Sequence, residues 1–585
     1  MIRKIYRQML ITQILSAMTV MICMMIDSMM IGRFLGVDSV TAYGLASPVL
    51  LVFAAFGSML SAGIQVMCGK TVGSGDMEGT NACYSASMVM AVGVAILGVA
   101  LVLILQNPLT SLLGAGKPTE DNVVFFLTRD YLDGFILGAP AFILAQIMVP
   151  FMQISGSRSR LVAAVLMMTV SDIVFDILNV FVFHGGTFGM GLASSLSYYL
   201  ALVIGLTYFL KKDCMFKLKL KSVKARICAN LFRYGIPTVI NQISLVLLVF
   251  VLNKILLAVG KNLAVAAYSV VSTIGNICYS FSSGVGSVAL LLSAVFFVDE
   301  DRNALRTLIK TMTLYAIFLD LAVILVMQLF APPLVSLFLP NDPAAKEMTI
   351  LGVRLFSLSL VPSAMNTAFK NYCQGVEKTR LTEVISVIQN FVSIASFAFI
   401  LSRFLGTTGV WLGFVSGESL TLLLIAVYVW VKQKKITFSV DAFSFLEPDF
   451  GVSEHNLFER SIHSAEEAIE ASRCAAEFCR EHGEKPRECM LISLSIEEIV
   501  NNIIEYGFTK DKERHSINVR ILFKEKQRVI RIRDNCLSFD PVEYLKLHQT
   551  EEDPAAHIGI RMIMKMVKDA NYVNSLGLNN LTLVL

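Results

Sequence analysis

Roughly the first 430 positions are a succession of runs of about 20 apolar residues with few charges. That is the length needed to cross a hydrocarbon core about 30 Å thick. In lipid every backbone polar group must be satisfied inside the protein, which restricts such runs to helices. The chain as a whole is 55% hydrophobic and 16% charged, with a mean hydropathy of +0.66. Twelve spans are expected. The first six are placed at Met9–Ile31, Ala46–Cys68, Tyr84–Leu105, Tyr131–Ile154, Leu161–Phe183 and Gly189–Leu210. The second six fall at Leu231–Leu257, Ala266–Phe296, Thr311–Phe330, Thr349–Tyr372, Ile385–Leu401 and Val410–Val431. The first run is too long for a signal-peptide core and lacks a small-residue cleavage site, so it is expected to stay attached. From about Asp441 charges become frequent, apolar runs shorten, and six of the seven His appear.

Loop charges orient the bundle. With the N-terminus inside, the cytoplasmic loops would hold Lys70, Arg158, Arg160, the basic stretch from Lys211-Lys212-Asp213 to Arg233, Arg302, Arg306, Lys378, Arg380 and Lys432 to Lys435. The opposite loops offer mainly Arg33, Lys117, Lys261, Lys346 and Arg403. This asymmetry follows the positive-inside rule and predicts a plasma-membrane protein with both its N-terminus and its tail in the cytoplasm. The net charge of +4 gives no reason to expect nucleic acid. The eleven Cys show neither C-x-x-C nor zinc spacing and read as reduced.

The two sets of spans look like copies. Val40-Thr41-Ala42-Tyr43-Gly44 aligns with Val265-Ala266-Ala267-Tyr268-Ser269, and Gly189-Met190-Gly191-Leu192 with Gly409-Val410-Trp411-Leu412. Ser155-Gly156 to Arg160-Leu161 likewise aligns with Gln374-Gly375 to Arg380-Leu381. A unit of six helices must insert both copies the same way up, giving a parallel repeat with a central cleft. The expected domains are an N-terminal lobe (1–215), a C-terminal lobe (216–435), a linker (436–446) and a soluble domain (447–585).

Charges inside the spans are few. Asp27 sits in Cys23-Met24-Met25-Ile26-Asp27-Ser28-Met29-Met30. A carboxylate at bilayer depth costs roughly 2.5–3.5 kcal/mol on insertion scales, so by default it marks an ion or substrate path. The plainer alternative is a helix-end acid wetted by headgroups. Asp172 and Asp176 are four apart and share a helical face, where like charges favour sharing a proton or holding sodium; an interfacial polar face is the alternative. Asp320 and Glu418 are also intramembrane acids, able either to contact a cationic substrate or to bond Ser or Thr of a neighbouring helix. Most of the 27 Met read as lipid-facing.

Four motifs stand out: Ile26-Asp27-Ser28-Met29-Met30-Ile31-Gly32-Arg33-Phe34-Leu35-Gly36, Gly63 with Gly73-Ser74-Gly75-Asp76, Tyr234-Gly235-Ile236-Pro237, and the Gln374-Gly375 to Arg380 turn. Through them, residues Ile2 to Lys435 resemble the multidrug and toxic compound extrusion (MATE) transporters. The resemblance implies two six-helix lobes and export of small cationic or amphipathic compounds driven by H⁺ or Na⁺. It also implies an ion site in the first lobe, with Asp27 matching the family's acid on the first helix. Asp172 and Asp176 match its Asn/Asp pair on the fifth, with Asp in place of Asn. The stretch Thr238 to Leu252 has no acid, so a second-lobe site found in some members is absent or moved.

In the tail, Ser464–Glu481 has helical periodicity, with Ser472 as a small polar gap in its apolar stripe. A second helix is expected over Arg487–Tyr506. Strands follow at His515–Phe523 and Gln527–Arg533 around Lys524-Glu525-Lys526, then a helix over Ile558–Lys568. A hairpin of Val573–Leu576 and Leu581–Leu585 over Gly577-Leu578-Asn579-Asn580 closes the chain. Glu498 and Asn502, four apart on one face, pair a carboxylate with an amide oxygen that can hold a water and a hard cation such as Mg²⁺. With Arg533-Asp534-Asn535-Cys536-Leu537-Ser538 and His557-Ile558-Gly559 downstream, the tail resembles the GHKL ATPases, specifically the serine kinases among bacterial anti-sigma factors. That resemblance implies ATP and Mg²⁺ as cofactors, Glu498 as general base, Asn502 as Mg²⁺ ligand and Asp534 as the acid that bonds the adenine amino group. It further implies phosphate approach at Gly559, and Thr582 near the nucleotide. Cys536 and Ser538 stand where that family has glycines.

Three functions are therefore in play. One is a secondary exporter with an ATP-binding regulatory or kinase-like domain. Another is a membrane sensor whose kinase acts on an anti-sigma-antagonist-like protein. The last is an ATP-driven pump, disfavoured because the chain lacks a Gly-x-x-x-x-Gly-Lys-Ser/Thr loop.

Overall fold

The computed structural model describes residues 2–119, 121–211, 214–338, 343–447, 449–508, 515–524, 527–547 and 558–585. Lys212, Asp213, Glu525, Lys526 and His557, noted above, lie outside them. Among the described residues ten helices are long and apolar enough to cross a membrane, or twelve if each of two bent pairs counts as one span. The bent pairs are Val123–Ile136 with Ala139–Ile154 and Pro343–Ser357 with Leu360–Gly375, broken by 49° and 45°. They take the fourth place in each half of the chain, at nearly the offset of the sequence repeats. The seventh and eighth spans run on as one helical stretch, Ala225–Val298, interrupted at Lys261 with φ 54°.

The lobes meet mainly through the first and second spans of one and the seventh and eighth of the other. Two motif glycines make the closest approach. A Cβ on Gly63 would stand 2.3 Å from the Leu231 carbonyl oxygen, and one on Gly235 would stand 2.3 Å from that of Met59. Small residues let helix backbones touch where no hydrophobic driving force separates lipid from protein. Nearby, the Tyr6 hydroxyl donates to Val285 O at 3.1 Å, and Gly73 faces Val295 O. All these contacts lie in the half of the bundle nearest the chain's start and the tail. Here one buried core runs across both lobes. Toward the opposite face the second lobe has a core of its own, around Leu252, Val271, Phe356, Trp411 and Phe414. The lobes are thus joined on the tail face and part toward the far face.

The tail is an α/β domain. A five-stranded antiparallel sheet is ordered β1-β2-β3-β5-β4, with β1 Leu457–Ile462, β2 Ile517–Phe523, β3 Arg528–Asp534, β4 Asp569–Ser575 and β5 Leu578–Val584. Helices α1 Ala465–Glu481, α2 Pro486–Asn502, α3 Pro541–Leu547 and α4 Ile558–Met566 accompany it. Strand alternation sends Ile517, Val519, Ile521, Ile530, Ile532, Leu581 and Leu583 into a core with α1 and α2. Ser464 caps α1 by accepting from Glu467 N. One expectation is corrected. The closing turn is tighter than the four residues foreseen: only Leu576 (φ 58°) and Gly577 (φ 75°) separate β4 from β5, the paired left-handed conformation of a two-residue hairpin turn. The linker also packs against the bundle, with Tyr372 Oη donating to Ser444 O at 2.9 Å and Phe445 buried in the main core.

Candidate functional site

Residues singled out from the sequence come together in two places, one in each part of the chain. In the first lobe, the first span (Ile2–Leu35) and the fifth (Arg158–Phe183) pack together and bring Asp27, Asp172 and Asp176 into one buried cluster, none more than 7% exposed. Asp27 neighbours both Asp172 and Asp176. Ser194 Oγ donates to Asp27 Oδ2 at 3.4 Å, and Ser197 Oγ to Asp172 Oδ1 at 3.2 Å. Asp27 Oδ1 and both oxygens of Asp176 have no hydrogen-bond partner among the described residues. Carboxylates facing one another in an apolar interior need a shared proton or a bound cation between them. Among the described residues no group of three acid, Cys or His side chains forms a ready-made metal cage. A π-helical turn, Asn179–Phe183, begins three residues after Asp176; such turns recur at functional sites.

Asp320 and Glu418 lie apart from this cluster, inside the second lobe. Ser282 Oγ donates to Asp320 Oδ1 at 3.2 Å, and Asp320 Oδ2 is buried without a partner among the described residues. Glu418 is at the end of an amide network: Asn366 Nδ2 donates to its Oε2 at 2.8 Å and Gln389 Nε2 at 3.2 Å. Lys370, not singled out from the sequence, continues that network by donating to Gln389 Oε1 at 3.0 Å and Asn241 Oδ1 at 2.6 Å. Its signal was available as a basic residue deep within the tenth span, and Asn241 lies in the acid-free stretch after Pro237.

In the tail, Glu498, Asn502 and Gly559 converge. Asn502 Nδ2 donates to Glu498 O at 2.7 Å and Oε1 at 3.2 Å, which turns its Oδ1, the atom a hard cation takes, away from Glu498. A Cβ on Gly559 would stand 2.1 Å from Glu498 Oε1, so a larger residue there would push the Glu498 side chain out of its place. Asp534 ends β3, 3% exposed, and accepts from Asn579 Nδ2 at 2.7 Å and Cys536 N at 2.8 Å. Burial raises its carboxyl above the ordinary carboxylate range, and these two donors pull it partly back. Burial and the neighbouring Asp534 push the Cys536 thiol up to about 12. The residues present thus fit Mg²⁺ and a nucleotide: Asn502 and Glu498 beside a glycine-floored helix start, with a buried acceptor at Asp534.

Thr582 is a correction. It pairs in register with Arg531 and Asn571, whose side chains bond Asp299 O and Gly75 O of the membrane bundle. Paired residues of an antiparallel ladder point to one face, so Thr582 faces the bundle, opposite Asp534. Asn579, three residues earlier, takes the place beside the acid.

Residues 13–178 and 237–400 match the MatE family model. The chain belongs to the MatE family. Residues 463–585 match the Histidine kinase-like ATPase domain. The Multidrug export protein MepA of Staphylococcus aureus is 23% identical over 415 residues, covering 70% of this chain and 88% of that protein. A crystal structure of MATE in complex with MaL6 superimposes with a TM-score of 0.69 at 21% identity, over 76% of this chain and 98% of that one. A multidrug resistance MATE family transporter of the MOP superfamily in its outward-facing conformation gives 0.69 at 20% identity, over 76% and 97%. At these identities the superpositions speak for the fold.

Proposed function

We propose that this MatE-family protein is a secondary active exporter, moving small amphipathic or cationic compounds in exchange for H⁺ or Na⁺. Its tail would be an ATP-binding regulatory domain on the cytoplasmic side. The observation that carries the reading is the cluster of Asp27, Asp172 and Asp176, with buried carboxylate oxygens that no donor among the described residues reaches. A passive receptor has no use for such a cluster, whereas an antiporter needs a buried site that a cation and a change of conformation can fill and empty in turn. Asp27, on the first span, and Asp172 and Asp176, on the fifth, would bind the coupling ion. Asp320 and Glu418 in the second lobe are the acids available to a cationic substrate. The similarity to the Multidrug export protein MepA points the same way.

In the tail, ATP would supply the transferable phosphoryl group and Mg²⁺ its charge neutralisation. Asn502 would hold the metal, Glu498 would accept a proton from an incoming hydroxyl, and Asp534 would accept from the adenine amino group. The retained contact of Glu498 with Gly559 also favours a second reading, a membrane-anchored serine kinase acting on an anti-sigma-antagonist-like protein under control of the bundle. Flux of a dye cation into or out of proteoliposomes, under an imposed H⁺ or Na⁺ gradient and with or without Mg-ATP, separates the two. Gradient-driven flux supports the exporter. Label transfer from ATP to a partner protein, with no flux under either gradient, supports the kinase.

A further inference from the structure

The sheet face opposite Asp534 is fastened to both lobes at once. On the first lobe, the β4–β5 hairpin tip packs against the loops after the second span and the fourth. Leu576 N donates to Ile154 O at 2.6 Å, Arg158 Nη2 donates to Leu576 O at 3.0 Å, and Asn571 Nδ2 donates to Gly75 O at 2.5 Å. Leu576 is 3% exposed and belongs to the bundle's own core. A Cβ on Gly156 would stand 2.8 Å from Gly577 N.

On the second lobe, β2 and β3 grip the turn between the eighth and ninth spans. Arg520 Nη1 pairs with Asp301 Oδ2 at 2.7 Å, Arg531 Nη1 with Asp299 Oδ1 at 3.1 Å, and Arg533 Nη2 with Asp299 Oδ2 at 2.5 Å. Both aspartates are 4% exposed, and Lys524 adds a partly exposed pair to Glu300 at 2.7 Å. The two footholds are joined by the β3–β5 ladder, Val529 with Val584 through Asp534 with Asn579.

A hydrogen-bonded sheet does not stretch. Lobes that rock apart on the tail face must carry Gly75 and Ile154 away from Asp299 and Asp301, so one foothold has to let go. We propose that the docked tail is a latch holding the lobes together on the tail face, and that its release is required for that face to open. The inference rests on the exporter reading for its alternating lobes and needs no assumption about nucleotide. The acid predicted to meet adenine, Asp534, adjoins Arg533 on β3, which places the nucleotide site one residue from the clamp.

The test uses the full chain in lipid nanodiscs, with spin labels at Glu78 of the first lobe and Arg380 of the second, both exposed. A second label pair, Glu78 with the exposed Arg473 of α1, reports docking. Two variants attack different footholds: Asp299→Asn with Asp301→Asn, and Leu576→Glu. The latch predicts one short lobe-to-lobe distance in the unmodified protein. In each variant that loses the docking distance, it predicts a several-fold larger fraction of long lobe-to-lobe distances. An unchanged lobe-to-lobe distance after release in both variants overturns it, as does lobe separation with the docking distance intact. A tail that unfolds in one variant is still a released tail, so the readout stands. Dye flux measured on the same proteins is scored separately: its absence everywhere would count against the exporter reading, whereas the distances decide the latch.

Discussion

Gly559 and Glu498 meet so closely that a single methyl group decides the geometry of the tail site. A Cβ at Gly559 would overlap Glu498 Oε1, and the backbone there is already committed to α4. Gly559→Val is therefore expected to displace the acid and abolish Mg-ATP binding by the full chain while its circular dichroism stays unchanged; isothermal titration reads the loss. Asn502→Ala should lose binding too, through the metal. Asp534 supplies a pH dependence. Its folded value lies above the unfolded one, so ionising it costs stability, a cost absent below the ordinary carboxylate range and growing as pH rises toward the folded value. Over the same window the ionised oxygen becomes available to the adenine amino group. ATP affinity should therefore fall as pH is lowered from 7, beginning above the usual carboxylate range, and Asp534→Asn should flatten the profile. The pairing of Glu498 with Asn502 was legible because four-residue spacing is a local property of a helix. Asn579 was not, because it reaches Asp534 through strand register, which no local spacing encodes.

Among the elements, β5 separates two readings of the nucleotide site. Its alternation puts Leu581 and Leu583 in the tail core and Thr582 on the face toward the bundle. Thr582→Val is expected to leave ATP affinity within about twofold, since its hydroxyl is on the wrong side of the sheet. Asn579→Ala removes the donor to a buried carboxylate, a loss of about 1–3 kcal/mol for a charged partner, and should weaken adenine binding clearly. The reverse ranking in a binding titration would show that the register has been misjudged. The spans were legible from apolar run length, because lipid forces each run to be a helix. Less legible were the breaks in the fourth and tenth spans, at Leu137-Gly138 and Leu358-Ser359. A proline follows each break, Pro140 and Pro362, and its missing N–H cannot bond the carbonyl four residues back, at Ile136 and Leu358; close packing such as Gly138 against Ser195 accommodates the bend. Strand β1 was also missed: with only six residues and three of them exposed, it has little hydrophobic pattern to read.

At the scale of the whole molecule, the bundle and the tail are joined by buried charge. Continuum reasoning makes a buried ion pair a weak source of net stability, yet removing one partner strands the other at a cost of about 3–5 kcal/mol. Asp301→Ala strands Arg520 and should lower the temperature at which the tail undocks, detectable as protease sensitivity of the linker before the bundle unfolds. This interface was not legible beforehand, since Arg520, Arg531 and Arg533 lie on two strands far in sequence from their partners Asp299 and Asp301 on the eighth-to-ninth turn. The first-lobe acids, by contrast, stood out in the sequence, because charge is rare in lipid. They carry the central claim. The measurement that tests it most directly is cation-gradient-driven dye flux in proteoliposomes, comparing the unmodified protein with Asp27→Asn. The account predicts flux under an H⁺ or Na⁺ gradient without ATP, abolished in Asp27→Asn with the fold retained; undiminished coupled flux in that variant would contradict it.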